Sequence, residues 1–184
     1  MSPHLARHTP QQRLPANPKL RRWLSAPGSL SQRLRDTGQR FEVRLLSQGT
    51  RAALPGEAAS VGARRVHARE VLLLVDDQPL VYARSVTAAI NVTSAWRSLR
   101  ALGSRPLAEL LFSQRWVHRS PLQALRMAPH SVWLRHLQKH CAPHAPTLAS
   151  RRVIWARYSV FIKGGRSLRV LEAFAPEIVR RATR

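Results

Sequence analysis

Cysteine occurs once in this chain, at position 141; a lone thiol excludes an intramolecular disulfide framework and leaves a thiolate metal site without partners. A reducing cytoplasm is the setting that follows. No apolar run approaches the ~18 residues needed to cross a bilayer, so insertion by a spanning helix is not expected. Residues 1–19 carry Pro3, Pro10, Pro15 and Pro18 without a continuous apolar stretch, and read as neither a secretory signal nor an anchor. Carboxylates are scarce: nine Asp and Glu stand against 31 Lys and Arg, a formal charge of +22. Lysine is scarce too, limited to Lys19, Lys139 and Lys163, so the positive charge is almost all arginine, scattered along the chain. Such a field attracts anions of any size. Scattered arginine also follows from biased nucleotide composition, and a solvated surface outweighs dedicated nucleic-acid binding. No Gly-x-Ser-x-Gly elbow, glycine-rich phosphate loop or His-Glu-x-x-His pair occurs.

What is present points to one domain. The 184 residues are 44% hydrophobic, enough for a real core. A mobile lead is expected over 1–17 and a domain over 18–184. Two short helices follow the lead, one from Pro18 to Leu24 and one capped by Ser29, and then a strand from Phe41 to Leu46. Residues 49–64 read as a long loop. The clearest element is a hairpin, Ala68 to Val75 and Leu80 to Val86, turning at Asp76-Asp77-Gln78-Pro79. Ser94 is expected to cap a helix through Leu102, and Pro106 to open another through Phe112. Residues 115–127 read as extended, His130 to Cys141 as an exposed amphipathic helix within a His-rich insertion and linker over 128–150. A second hairpin pairs Val153–Ile162 with Ser167–Phe174. Without sustained βαβ alternation, this order predicts an antiparallel α+β domain.

A few charged residues interrupt apolar strand faces. With a period of two, Arg69 shares a face with Val71, Leu73 and Val75, and Arg84 with Leu80, Tyr82 and Val86. Glu172 interrupts the row Leu168, Val170 and Phe174. Buried guanidinium groups need an anion, and a mid-strand carboxylate must find a cation or stay protonated, the means by which active sites tune acids. Solvent-facing strand ends account for the arginines about equally well, whereas for Glu172 the functional reading leads. His136 and His140 stand four apart, a spacing that can hold Zn²⁺, yet no carboxylate lies nearby in sequence, and a solvated basic helix outweighs a metal site.

Several short motifs, in order, carry a family resemblance from about Leu20 to Pro176. They are Trp23-Leu24 with Gly28 to Leu34, Arg69 to Leu73 with Asp77-Gln78-Pro79 and Ala83 to Val86, and Leu102 to Leu107 with Leu111-Phe112. Trp155-Ala156-Arg157 with Ser159, and Glu172-Ala173-Phe174 with Pro176, complete the series. The sequence resembles the chorismate lyases, which eliminate pyruvate from chorismate to give 4-hydroxybenzoate at the head of ubiquinone synthesis. The resemblance implies a six-stranded antiparallel sheet with helices covering an internal ligand, no metal or cofactor, and a soluble monomer working on small molecules. It implies that Arg69 grips a carboxylate, that Arg84 lines the same pocket, and that Glu172 bonds the oxygen-bearing side. It also implies backbone hydrogen bonds at Leu30 and Leu107, with Arg69 and Glu172 as the catalytic pair. The competing reading is a non-catalytic ligand-binding module of the same fold, as in regulator effector domains; a basic nucleic-acid-binding protein comes third.

Overall fold

Two tight hairpins form the centre of the sheet and dictate which side chains share each face. In this computed structural model, which describes residues 14–112 and 116–181, the strands are β1 (Phe41–Ala52), β2 (Arg65–Val75), β3 (Gln78–Ala88), β4 (His118–Arg119), β5 (Gln123–Met127), β6 (Ile154–Lys163) and β7 (Arg166–Phe174). All pairings are antiparallel, in the order β1-β2-β3-β7-β6-β4, with β5 also on β6. The expected six-stranded sheet therefore has seven strands, because its last position is shared by β4 and β5 on either side of Pro121, whose ring cannot donate to a ladder. Most of the expected lead, residues 1–13, lies outside the described residues.

Both hairpin turns are two residues long with positive φ, the geometry that matches strand twist: Asp76 and Asp77 at 50° and 63°, Gly164 and Gly165 at 53° and 70°. Asp76 tolerates it because its carboxylate accepts the backbone N–H groups of Gln39 and Arg40, at 2.9 and 3.0 Å. The second hairpin pairs without interruption, setting Arg157 opposite Glu172. The first carries a bulge: Leu73 pairs Val81 but Leu74 pairs Pro79, and Leu80 is left out of the ladder. Its carbonyl instead accepts the N–H of Ala175, at 2.8 Å. From there outward Arg69 stands opposite Ser85, and Glu70 opposite Arg84.

One face of the sheet packs against α1 (Pro18–Ser25) and α2 (Leu30–Arg35), burying Trp23, Leu24, Leu30 and Leu34 on Val71, Leu73, Ala83 and Phe174. Along the same face α4 (Leu107–Phe112) contributes Leu111 to a cluster with Trp96, Phe161, Leu168 and Val170, while α3 (Glu57–Val61) follows β1. The other face carries α5 (Val132–Cys141) and α6 (Pro146–Ala149), whose Trp133, Leu134, Leu137 and Leu148 cover Leu72, Tyr82 and Leu171. The amphipathic helix is thus confirmed, but with one face in the core rather than exposed.

Two stretches depart from expectation. β1 runs on to Ala52 instead of ending in a loop, since Gly49 takes φ 153°, a conformation open to glycine, and keeps its place opposite Ala68. The Ser94-capped helix does not form; 3₁₀ turns at Ala89–Thr93 and Arg97–Leu99 replace it. There the Asn91 carbonyl accepts both Ser94 and Trp96 N–H groups, and the buried Trp96 indole donates to Arg166 at 3.0 Å, bonds that compete with helical pairing. Among the described residues no helix is long and apolar enough to cross a membrane.

Candidate active site

Between the first face and its covering helices lies a pocket that is partly open to solvent. Its floor is Arg69, Val71 and Leu73 of β2, Ala83 and Ser85 of β3, and Val170 and Glu172 of β7; Phe161 and Arg119 close one side. The roof is Gly28, Leu30 and Ser31 at the start of α2 and Leu107, Ala108 and Leu111 of α4. Leu30 and Leu107 are the first residues of their helices, where backbone N–H groups have no intrahelical acceptor. Four of the sequence-derived site residues, Leu30, Arg69, Leu107 and Glu172, therefore line one space.

Arg69 is only 2% exposed, yet no carboxylate among the described residues pairs with it. Its Nε and Nη2 donate to the Gly103 carbonyl at 3.2 and 2.8 Å, and Nη2 also to that of Arg105 at 2.9 Å. Burial pushes its pKa down to about 10. Carbonyl dipoles orient this cation without neutralising it, which suits a site for an arriving anion.

Glu172 is the one acidic residue in the lining, and its Oε2 accepts Arg157 Nε at 2.6 Å. The Arg157 Nη1 donates to the carbonyls of Trp23 and Ala26, both at 2.8 Å, filling acceptors that the end of α1 leaves open. One buried guanidinium thus fixes both the carboxylate and the helix over it. On β4, Arg119 donates through Nε to Ser159 Oγ at 3.0 Å and through Nη1 to the Gly28 carbonyl at 2.9 Å. Burial lowers its pKa, partly opposed by the charge of Glu172. Arg119 and Gly28 also border an outer trough formed with Arg21, Leu24 and Pro121, so they stand as the partition between it and the cavity.

Sequence reasoning missed Arg119 and Arg157 as site residues, and it misplaced Arg84. Arg84 does not line the cavity: the Leu80 bulge turns it to the opposite face, where Nε and Nη2 donate to the two oxygens of Glu57 at 2.7 and 3.0 Å and Nη1 to Glu70. Glu57 is itself oriented by the Leu54 N–H at 2.7 Å. The signal for Arg157 was present in the two-glycine turn, which counts back to Glu172 as its partner. For Arg119 no comparable signal existed, because the strand that carries it has two residues.

Known proteins resemble this chain in fold and in sequence. In solved structures the fold recurs in the PhnF C-terminal domain, with a TM-score of 0.54 and 17% identity over 83% of this chain and 93% of that one. PhnF from Mycobacterium smegmatis aligns with a TM-score of 0.58 and 13% identity over 82% of this chain and 65% of that one. At these identities the likeness is one of fold. In sequence, a protein of Albidiferax ferrireducens named "Probable chorismate pyruvate-lyase" is 45% identical over 84% of this chain and 80% of its own. One of the same name from Aromatoleum aromaticum is 38% identical over 95% and 92%. The family profile described as chorismate lyase matches residues 6–184, and the chain belongs to that family.

Proposed function

We propose that this protein is a chorismate pyruvate-lyase that releases pyruvate from chorismate and leaves 4-hydroxybenzoate, the first step of ubiquinone biosynthesis, acting in the cytoplasm. The observation that carries this reading is the charge of the cavity. Around it stand Arg69, Arg119 and Arg157 with one carboxylate, Glu172, so three positive charges against one negative leave two to be met. Chorismate is a dianion, with one carboxylate on the ring and one on the enolpyruvyl group, and matches that excess.

In this assignment Arg69 holds the ring carboxylate, and Glu172 lies two strands away across the sheet, about 10 Å by strand spacing, at the oxygen-bearing side. Arg119 takes the second carboxylate, the role that Arg84 cannot fill from the far face. Leu30 and Leu107 offer backbone N–H groups from the roof. The ether bond at ring C3 breaks, C4 gives up its hydrogen, and the ring becomes aromatic while keeping the C4 hydroxyl; the enol leaving group takes up a proton to become pyruvate. Glu172, steered by Arg157, assists proton transfer at the oxygen side, and the apolar walls exclude water from the charged groups.

Purified protein incubated with chorismate should yield 4-hydroxybenzoate and pyruvate in equal amounts. Glu172→Gln and Arg69→Ala should each lower kcat/KM by about 10²-fold or more, the usual effect of removing one charge-stabilising group. Tight binding of 4-hydroxybenzoate with no turnover of chorismate would instead make this a ligand-binding module.

A further inference from the structure

On the face of the sheet turned away from the cavity, Glu70 of β2 meets His136 and His140 of α5. His136 Nε2 lies 3.0 Å from Glu70 Oε1, and His140 Nδ1 lies 3.4 Å from Oε2. One donor atom from each residue falls within 4.8 Å of the others, and the two imidazole rings are 4.2 Å apart between centroids. We infer that Glu70, His136 and His140 form a site for one divalent zinc-class ion, which fastens α5 to β2.

Several independent features favour an ion over a simple hydrogen-bonded contact. Tetrahedral zinc with bonds of about 2.0–2.1 Å sets its ligand atoms roughly 3.3–3.4 Å apart, close to the separations seen here. The donor set, two imidazoles and a carboxylate, is that of zinc, cobalt and nickel sites, with water completing the shell. The carboxylate is held from behind: Arg84 donates to Glu70, and Arg84 is in turn gripped by both oxygens of Glu57, the kind of outer bonding that orients a ligand. Glu57 and Glu70 offset part of the positive charge carried by Arg84, by Arg51 beside His140 and by Arg169 beside Glu57. One polar atom here, His140 Nε2, is buried without a hydrogen-bond partner. The histidine side chains are 17% and 20% exposed, which leaves a path for entry, whereas Glu70 is sealed.

The test needs no lyase activity and leaves the cavity untouched. Chelator-treated protein is titrated with Zn²⁺ by calorimetry, and thermal unfolding is followed with and without the ion. One ion per chain should bind, and at about 100 times Kd the Tm should rise by roughly 5–10 °C. Co²⁺ in place of Zn²⁺ should give the visible absorption of a four-coordinate nitrogen and oxygen site. His136→Asn with His140→Asn should remove the stoichiometric binding, the Tm rise and the Co²⁺ bands, with the single His136→Gln variant as the check if the double variant folds poorly. Zinc that binds equally well after these substitutions, or a wild-type protein with neither a Tm rise nor Co²⁺ bands, would overturn the assignment and leave a hydrogen-bonded network.

Discussion

In the proposed assignment Arg69 and Arg119 divide the work of holding an anion, and the division can be measured. On that assignment a monoanionic product needs only Arg69, whereas a dianionic substrate needs both. Arg119→Ala should therefore raise KM for chorismate about tenfold or more while changing the Kd for 4-hydroxybenzoate little; Arg69→Ala should weaken both. Steady-state kinetics beside product binding by calorimetry separates the two outcomes. Arg157 behaves differently, because its partner stays behind when it is removed. Arg157→Met leaves Glu172 without its cation and the end of α1 without its donor, and should cost about 3–5 kcal/mol in denaturant unfolding. Adding Glu172→Gln to that variant should recover part of the stability and none of the activity.

At the scale of elements, the two hairpins explain what could be read from the chain and what could not. A two-residue turn fixes register by counting: Gly164-Gly165 sets 163 against 166 and so Arg157 against Glu172, and that pairing was legible. The same counting from Asp76-Asp77 would set Arg69 against Arg84 and turn both toward one pocket. Leu80 breaks the count, and a bulge has no signature in a run of Leu, Val and Tyr that packs as well in the ladder as out of it. Arg69 and Glu172 were legible because each breaks an apolar row; the carboxylate that answers His136 and His140 was not, since Glu70 is distant in sequence and meets them only through packing across the sheet. The first turn also predicts a gain. Asp77 sits at φ 63°, and Asp77→Gly, which leaves the Asp76 cap in place, should stabilise by about 0.5–1 kcal/mol, seen as a higher Tm.

For the molecule as a whole, the charge of +22 should act on encounter rather than on chemistry. Rising ionic strength should lower kcat/KM for chorismate several-fold and leave kcat nearly unchanged, with no tight complex formed on DNA or RNA at physiological salt. Cys141 supplies a gauge of opening: it is fully buried, and burial together with the charge of Glu70 pushes its thiol up to about 12. A disulfide reagent at pH 8 should label it only as fast as the fold opens, and immediately in denaturant.

Arg157 ties the carboxylate in the floor to the helix in the roof, so neither can shift without the other. If α1 swings away to let product leave, the grip on Glu172 is lost in the same movement. Under the proposed mechanism an unlatched chamber is then a chemically idle one, and a fresh substrate meets an aligned acid only after the helix has settled back.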